Sequence, residues 1–210
     1  MIDLYTCDTP NGKKVSIALE ECGFVYNIHK VDIRKGEQHQ PAYRKINPNQ
    51  KIPAIVDHKG PSEKSIRVFE TGAILQYLAG KSGRFLGNEE VTKLECLQWL
   101  TFIITGLAPN FVQLYHFNNQ APGKANKVAV DYGQKRYAEE MQRLVGVLDF
   151  RLREYEFLAK TYTIADMAAY PWIERHEAFG FNLEDFVGVK NWFNRLSKRS
   201  AIVRGMGVPS

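Results

Sequence analysis

Three short stretches carry residues whose types and spacing could do chemistry. The first is Thr9-Pro10-Asn11-Gly12, between a β-prone run at Ile2 to Tyr5 and an apolar helical face of Val15, Ile17, Ala18 and Leu19. A hydroxyl and a carboxamide at the start of a helix can donate to an anion, and the helix end adds positive potential. The same residues can equally cap the helix's own N–H groups. The second is Lys51-Ile52-Pro53, at a loop-to-strand junction. A cis bond there would mark a constrained turn, whereas a trans proline would simply begin the strand. The third is Glu70-Thr71, which opens a helix bearing Ala73, Ile74, Tyr77 and Leu78. Backbone N–H groups and a hydroxyl at that point can hold a carboxylate, although an acidic residue in a first turn is also ordinary.

The cysteines offer less. Cys7, Cys22 and Cys96 form no CxxC pair, and no Cys/His cluster has zinc spacing, so no metal is expected. Such a set suits a reducing, cytoplasmic compartment. Cys7 ends the first strand two residues before Thr9; it is either a thiol able to form a mixed disulfide or a small buried hydrophobe. His29, His39, His58, His116 and His176 read as structural or surface residues.

Composition excludes several classes. Lys plus Arg number 28 against 23 Asp plus Glu, a net charge of +5. Residues 1–82 hold 12 basic and 9 acidic side chains and residues 83–210 hold 16 and 14, so the excess is spread and leaves no nucleic-acid footprint. The longest apolar stretch, Leu97 to Ala108, is interrupted by Gln98, Thr101 and Thr105 and falls short of the ~20 residues a membrane span needs. The N-terminus lacks the basic-then-apolar pattern of a signal peptide.

These stretches must be positioned by the elements around them. Periodicity predicts a helix ending at Gly23, a strand over Tyr26 to Ile33 and a short helix around Pro41 to Ile46. A hairpin of Ala54–Val56 and Ile66–Phe69 and a helix from Glu70 follow, giving the order β-α-β-α-β-β-α within residues 1–82. Beyond Gly87 only helices are expected: Thr92 to Phe117 bent near Gly106 and Pro109, residues 124–155, one opened by a capping box at Thr163–Asp166, and Val189 to Leu196. The domains are thus residues 1–82, α/β, and 88–210, all-α.

That layout resembles the glutathione transferase superfamily, a thioredoxin-like domain followed by an all-helical one, over essentially the whole chain. The likeness rests on Asn47-Pro48-Asn49-Gln50-Lys51-Ile52-Pro53-Ala54-Ile55, on Phe69-Glu70-Thr71-Gly72-Ala73-Ile74-Leu75-Gln76-Tyr77-Leu78, and on Thr163-Ile164-Ala165-Asp166 with Asn191-Trp192-Phe193-Asn194-Arg195-Leu196. Thr9-Pro10-Asn11-Gly12-Lys13-Lys14 and Tyr115-His116-Phe117-Asn118-Asn119-Gln120-Ala121-Pro122 are similar to the bacterial nu class. Ser200 departs from the proline many relatives carry after the preceding arginine, and Cys7 is not part of the class pattern.

The resemblance implies a cytoplasmic homodimer that uses glutathione as cosubstrate, one or two molecules per site, to reduce small disulfides without a protein cysteine. Thr9 and Asn11 would stabilise the glutathione thiolate. Glu70 and Thr71 would hold the γ-glutamyl end, and Ile52, before a cis Pro53, would pair with the cysteinyl backbone by strand addition. Lys51 and Gln38 would reach the glycyl end. Arg136 would help bind a second glutathione near the subunit interface, with Phe117 and Asn118 lining the same opening. The alternatives are a transferase that adds the thiolate to electrophiles and a non-catalytic binding or regulatory protein.

Overall fold

The computed structural model of the chain describes residues 1–209, which divide into two compact units, 1–86 with 197–209 and 87–196. The first unit contains β1 (Ile2–Thr6), α1 (Pro10–Cys22), β2 (Tyr26–Lys30), α2 (Pro41–Arg44), β3 (Ala54–Asp57), β4 (Ile66–Phe69) and α3 (Thr71–Ser82). The strands form one mixed sheet in the order β2-β1-β3-β4. β1 runs parallel to β2 with Leu4 opposite Ile28, and antiparallel to β3 with Leu4 opposite Ile55. β1 buries Ile2, Leu4 and Thr6 on alternate positions, whereas every residue of β3 is buried: Ala54, Ile55 and Val56 as a continuous apolar run, and Asp57 with its charge satisfied by hydrogen bonds. β2 is an exposed edge and ends at Lys30, short of the Ile33 limit expected from alternation.

α1 buries Val15, Ile17, Ala18 and Leu19 completely, and Gly23 closes it in the left-handed conformation at φ 72°. Its first turn lies so close to β1 that a Cβ on Gly12 would meet Thr6 Oγ1 at 2.4 Å and the Cys7 carbonyl at 2.5 Å. At the far end of β3 the buried Asp57 accepts hydrogen bonds from Tyr77 Oη (2.7 Å), Lys81 Nζ and the Lys59 N–H (2.9 Å). These bonds fasten α3 to the sheet.

The second unit is helical: α4 (Glu90–Phe102), α5 (Ala108–Asn119), α6 (Lys127–Glu154), α7 (Ile164–Ile173), α8 (His176–Phe179) and α9 (Val187–Leu196). The bend expected near Gly106 is a π-helical turn, Ile103–Leu107, between α4 and α5. α7 is buried along its whole length and begins with the expected Thr163–Asp166 capping box. The Asp166 carboxylate also accepts from the Leu158 N–H (3.1 Å) and Trp192 Nε1 (2.9 Å), tying α7 to α9. Burial pushes its pKa up to about 6 against these bonds.

A last helix, α10 (Ser200–Met206), was not expected from the sequence. It packs along α1, so residues 197–209 cluster with the first unit rather than with the helices the sequence grouped at 88–210. Arg199 makes a bidentate pair with Glu21 (2.7 and 2.8 Å) and Arg204 pairs with Glu20 (2.6 Å). Ser16 Oγ donates to the Gly205 carbonyl at 2.7 Å. A Cβ on Gly205 would sit 2.6 Å from Ile17 Cα, so only glycine permits this approach.

Candidate functional site

Thr9 is the N-cap of α1, and Pro10 takes the first helical position. Thr9 Oγ1 accepts from the Gly12 N–H at 3.1 Å, which leaves the hydroxyl proton free to donate elsewhere. That proton lies beside the half-buried Cys7 thiol and favours its ionised form. Burial outweighs this and raises the Cys7 pKa, with Asp8 and Asp32 adding to the rise and Arg34 opposing it. Asn11, half-buried at the second helical position, has a carboxamide with no hydrogen-bond partner among the described residues. Capping and anion donation are therefore divided: Thr9 can do both, and Asn11 is not used for capping.

The loop from Asn47 to Pro53 is braced from within. Tyr43 Oη and Asn47 Nδ2 both donate to the Lys51 carbonyl, at 2.7 and 2.6 Å. Ile52–Pro53 is cis, and Ile52 packs with Tyr5, Tyr43, Ala54 and Phe69. Neither the N–H nor the carbonyl of Ile52 has a partner among the described residues. A half-buried backbone with both groups open is an edge for an extended ligand to pair with. The Lys51 side chain is exposed.

Glu70 precedes α3 at φ 67°, ψ 122°. A non-glycine residue held there costs on the order of 1–3 kcal/mol, and such outliers cluster at functional sites. It contributes no side-chain cap, so the N–H groups of Thr71, Gly72 and Ala73 have no partner among the described residues. Its carboxylate accepts from Asn49 Nδ2 at 3.0 Å, which joins this helix end to the Ile52 loop. The Lys14 ammonium, on α1, acts on the same carboxylate; Lys14 is 1% exposed and burial pushes its pKa down to about 7, with Glu70 opposing the fall.

Gln38 stands in a 3₁₀ turn, Glu37–His39, that is linked to the same loop by His39 Nδ1 and Gln50 Oε1 at 3.1 Å. Its Nε2 faces the Ile33 carbonyl (3.4 Å) and His39 (3.1 Å), and its enclosed Oε1 has no partner among the described residues. An enclosed acceptor of this kind calls for a donor from outside the described residues.

The first unit thus holds Gln38, Lys51, Ile52, Pro53, Glu70 and Thr71 on segments joined by the His39–Gln50 and Asn49–Glu70 bonds, with Thr9 and Asn11 at the start of α1. Arg136 belongs to the second unit, exposed on α6 near Glu140. Asn118 is exposed on α5, while Phe117 stacks on Tyr137 with ring centroids 5.5 Å apart and lies so close to Gly133 that a Cβ there would meet its ring. Sequence reasoning missed Asn49 and Lys14. Lys14 could have been noticed: it falls three and four residues before Ile17 and Ala18, on the buried stripe of α1. Among the described residues no group of three His, Cys, Asp or Glu side chains is placed to hold a metal ion, and no helix is long and apolar enough to cross a membrane.

Comparison with known proteins fits this geometry. Residues 2–80 match the model of the glutathione S-transferase N-terminal domain, and residues 118–200 that of its C-terminal domain. The chain is 43% identical over 204 residues to the disulfide-bond oxidoreductase YfcG of Escherichia coli (strain K12), covering 96% of this chain and 92% of the relative. A glutathione transferase from Pseudomonas putida, solved with one glutathione disulfide bound per subunit, superposes with a TM-score of 0.92 at 36% identity, covering 100% of this chain and 92% of that one. A family member from Pseudomonas fluorescens, solved with two glutathione molecules bound, gives 0.91 at 40% identity, covering 99% and 93%. With an open backbone edge at Ile52, an uncapped helix end at Thr71 and both domain models matched in order, the chain belongs to the glutathione transferase family.

Proposed function

We propose that this chain is a nu-class, glutathione-dependent disulfide-bond oxidoreductase. The observation that carries the reading is the open backbone of Ile52 beside the uncapped start of α3, bridged by the Asn49–Glu70 bond. Glutathione has two carboxylates, an ammonium, a thiol and an extended peptide backbone. The N–H groups at Thr71 to Ala73 and the Thr71 hydroxyl hold the γ-glutamyl carboxylate, and Glu70 pairs with the ammonium. Ile52, set by Pro53, exchanges backbone hydrogen bonds with the cysteinyl residue. Lys51 meets the glycyl carboxylate, and Gln38 Oε1 accepts from the nearby amide.

This pose sends the thiol toward the start of α1, where Thr9 and Asn11 donate to sulfur. Lowering a thiol pKa by ~2 units takes about 2.7 kcal/mol of preference for the thiolate. A helix end with one or two hydrogen bonds to an anion is of that order. The thiolate attacks one sulfur of a disulfide, forming a glutathione mixed disulfide and expelling the other half as thiolate. A second glutathione thiolate attacks the mixed disulfide at the glutathione sulfur, giving glutathione disulfide and releasing the remaining thiolate. Both thiols come from glutathione, so no protein cysteine is consumed.

Arg136 binds the second glutathione at the interface of a homodimer, to which the exposed Val91 and Leu94 of α4 offer apolar surface. The free cysteines suit the reducing cytoplasm, and the glutathione-binding domain is built on residues 1–82 within the first unit. The test is a comparison of rates with a small dialkyl disulfide and with an aryl halide electrophile, each at saturating glutathione. Disulfide reduction is expected to dominate; conjugation without disulfide reduction would make the chain a transferase instead.

A further inference from the structure

Lys13 is a charged residue with little access to water, 6% exposed one turn into α1. Its ammonium lies 2.6 Å from the carbonyl of Met206, the last residue of α10, and 3.1 Å from Asp8 Oδ1. A buried ammonium persists only with such partners, and the carbonyl at a helix C-terminus adds the negative end of its dipole. Positions 13, 16, 17 and 20 form one face of α1, and each meets α10: Lys13 at Met206, Ser16 at Gly205, Ile17 against Gly205, Glu20 at Arg204. Of these four, Lys13 also reaches the loop that carries Cys7 and Thr9.

Asp8 sits in that loop, between the Cys7 thiol and the Thr9 cap. Its carboxylate disfavours a negative sulfur at position 7, as does Asp32, while Arg34 and the Thr9 hydroxyl favour one. A ligand sulfur at the start of α1, where the functional reading puts it, would lie among the same groups. We propose that Lys13 is a positioning residue for the thiolate: anchored on α10, it holds the Asp8 carboxylate and offsets its charge, so that the sulfur end of the site depends on the C-terminal helix. The inference rests on the reading that glutathione sulfur lies at Thr9 and Asn11, and deepens it.

Two measurements on the full chain test it. One is the pH dependence of Cys7 alkylation by iodoacetamide without glutathione, read by mass spectrometry. The other is the pH dependence of the thiolate absorbance of bound glutathione. Lys13→Met is expected to raise both apparent pKa values by about 0.5 pH unit, roughly a threefold loss of thiolate below the pKa, the size of losing one nearby positive charge in partly screened surroundings. Asp8→Asn is expected to lower both, and the double variant to lie with Asp8→Asn. A folded Lys13→Met with both values unmoved overturns the inference. So does a Lys13→Met shift undiminished in the Asp8→Asn background. Should Lys13→Met not fold, Asp8→Asn decides, since its side chain is 66% exposed, and unchanged values there overturn the inference equally. A shift at Cys7 without one at glutathione supports the charge pairing but removes the ligand sulfur from this helix end, and with it the functional reading.

Discussion

Asn49 Nδ2 donates to Glu70 Oε1 at 3.0 Å, across 21 residues of sequence. One hydrogen bond thereby joins the loop bearing Ile52 to the helix end bearing Thr71. Its acceptor residue has an unfavourable backbone for a non-glycine, at φ 67°. The two halves of the proposed glutathione cradle are thereby linked within the chain itself.

Glu70→Ala is expected to raise the half-saturating glutathione concentration about 10- to 150-fold with little change in maximal rate, because a charged hydrogen bond made alike in ground and transition states is lost. Asn49→Ala should move the same parameter less. Initial rates over a glutathione titration check both. A fall in maximal rate at unchanged half-saturation would place Glu70 in the chemical step instead.

Asn11→Ala is expected to lower the maximal rate about 10- to 150-fold, the worth of one donor to a developing or bound thiolate. Its carboxamide has no partner among the described residues, so the unfolding midpoint should not move. Thr9→Ala is different. It removes the cap to the Gly12 N–H and should cost about 1 kcal/mol of stability as well as rate. Kinetics and urea denaturation of the two variants separate the roles; an Asn11 variant changed only in half-saturation would remove the main donor from the mechanism.

The triple variant Cys7→Ala, Cys22→Ala, Cys96→Ala is expected to keep most disulfide reductase activity, since two glutathiones supply both thiols. Cys96 is fully buried beside the Thr163 cap, so the variant should lose about 1 kcal/mol of stability. Activity lost from a variant with a native circular dichroism spectrum would make Cys7 a reacting group.

Asp57 sets an acid limit on the first unit. Burial alone would raise its pKa, but the bonds from Lys81, Tyr77 and the Lys59 N–H outweigh it and hold the carboxyl below its ordinary 3.8. A depressed folded value means the contribution is present above the unfolded value and lost as pH falls through the folded one. Stability should therefore fall below about pH 4, and Asp57→Asn should flatten that limb while costing about 1–3 kcal/mol at neutral pH. Urea midpoints across pH check it; an unchanged acid limb in the variant would mean another carboxylate controls it.

Much of the fold was legible because its signals are local. The β-prone run at Ile2 to Tyr5, the stripe of Val15, Ile17, Ala18 and Leu19 and the Thr163–Asp166 capping box each lie within a short stretch of chain, where propensity, a period or a cap specifies the element. Ile52, Glu70 and Thr71 stand out in the sequence only as a proline junction and a helix start, and it is the family resemblance that assigns them a ligand. Tertiary structure decided what depends on distant partners. Lys14 looks like any lysine on a helix until α1 packs on α3 and Glu70 becomes its counterpart. The link from Asn49 to Glu70 forms only when the loop and the start of α3 meet in space. α10 carries no strong pattern of its own, and Lys13 finds the Met206 carbonyl 193 residues away. Periodicity and capping are read from neighbours along the chain, whereas the burial of a charge is fixed only when remote segments exclude water around it.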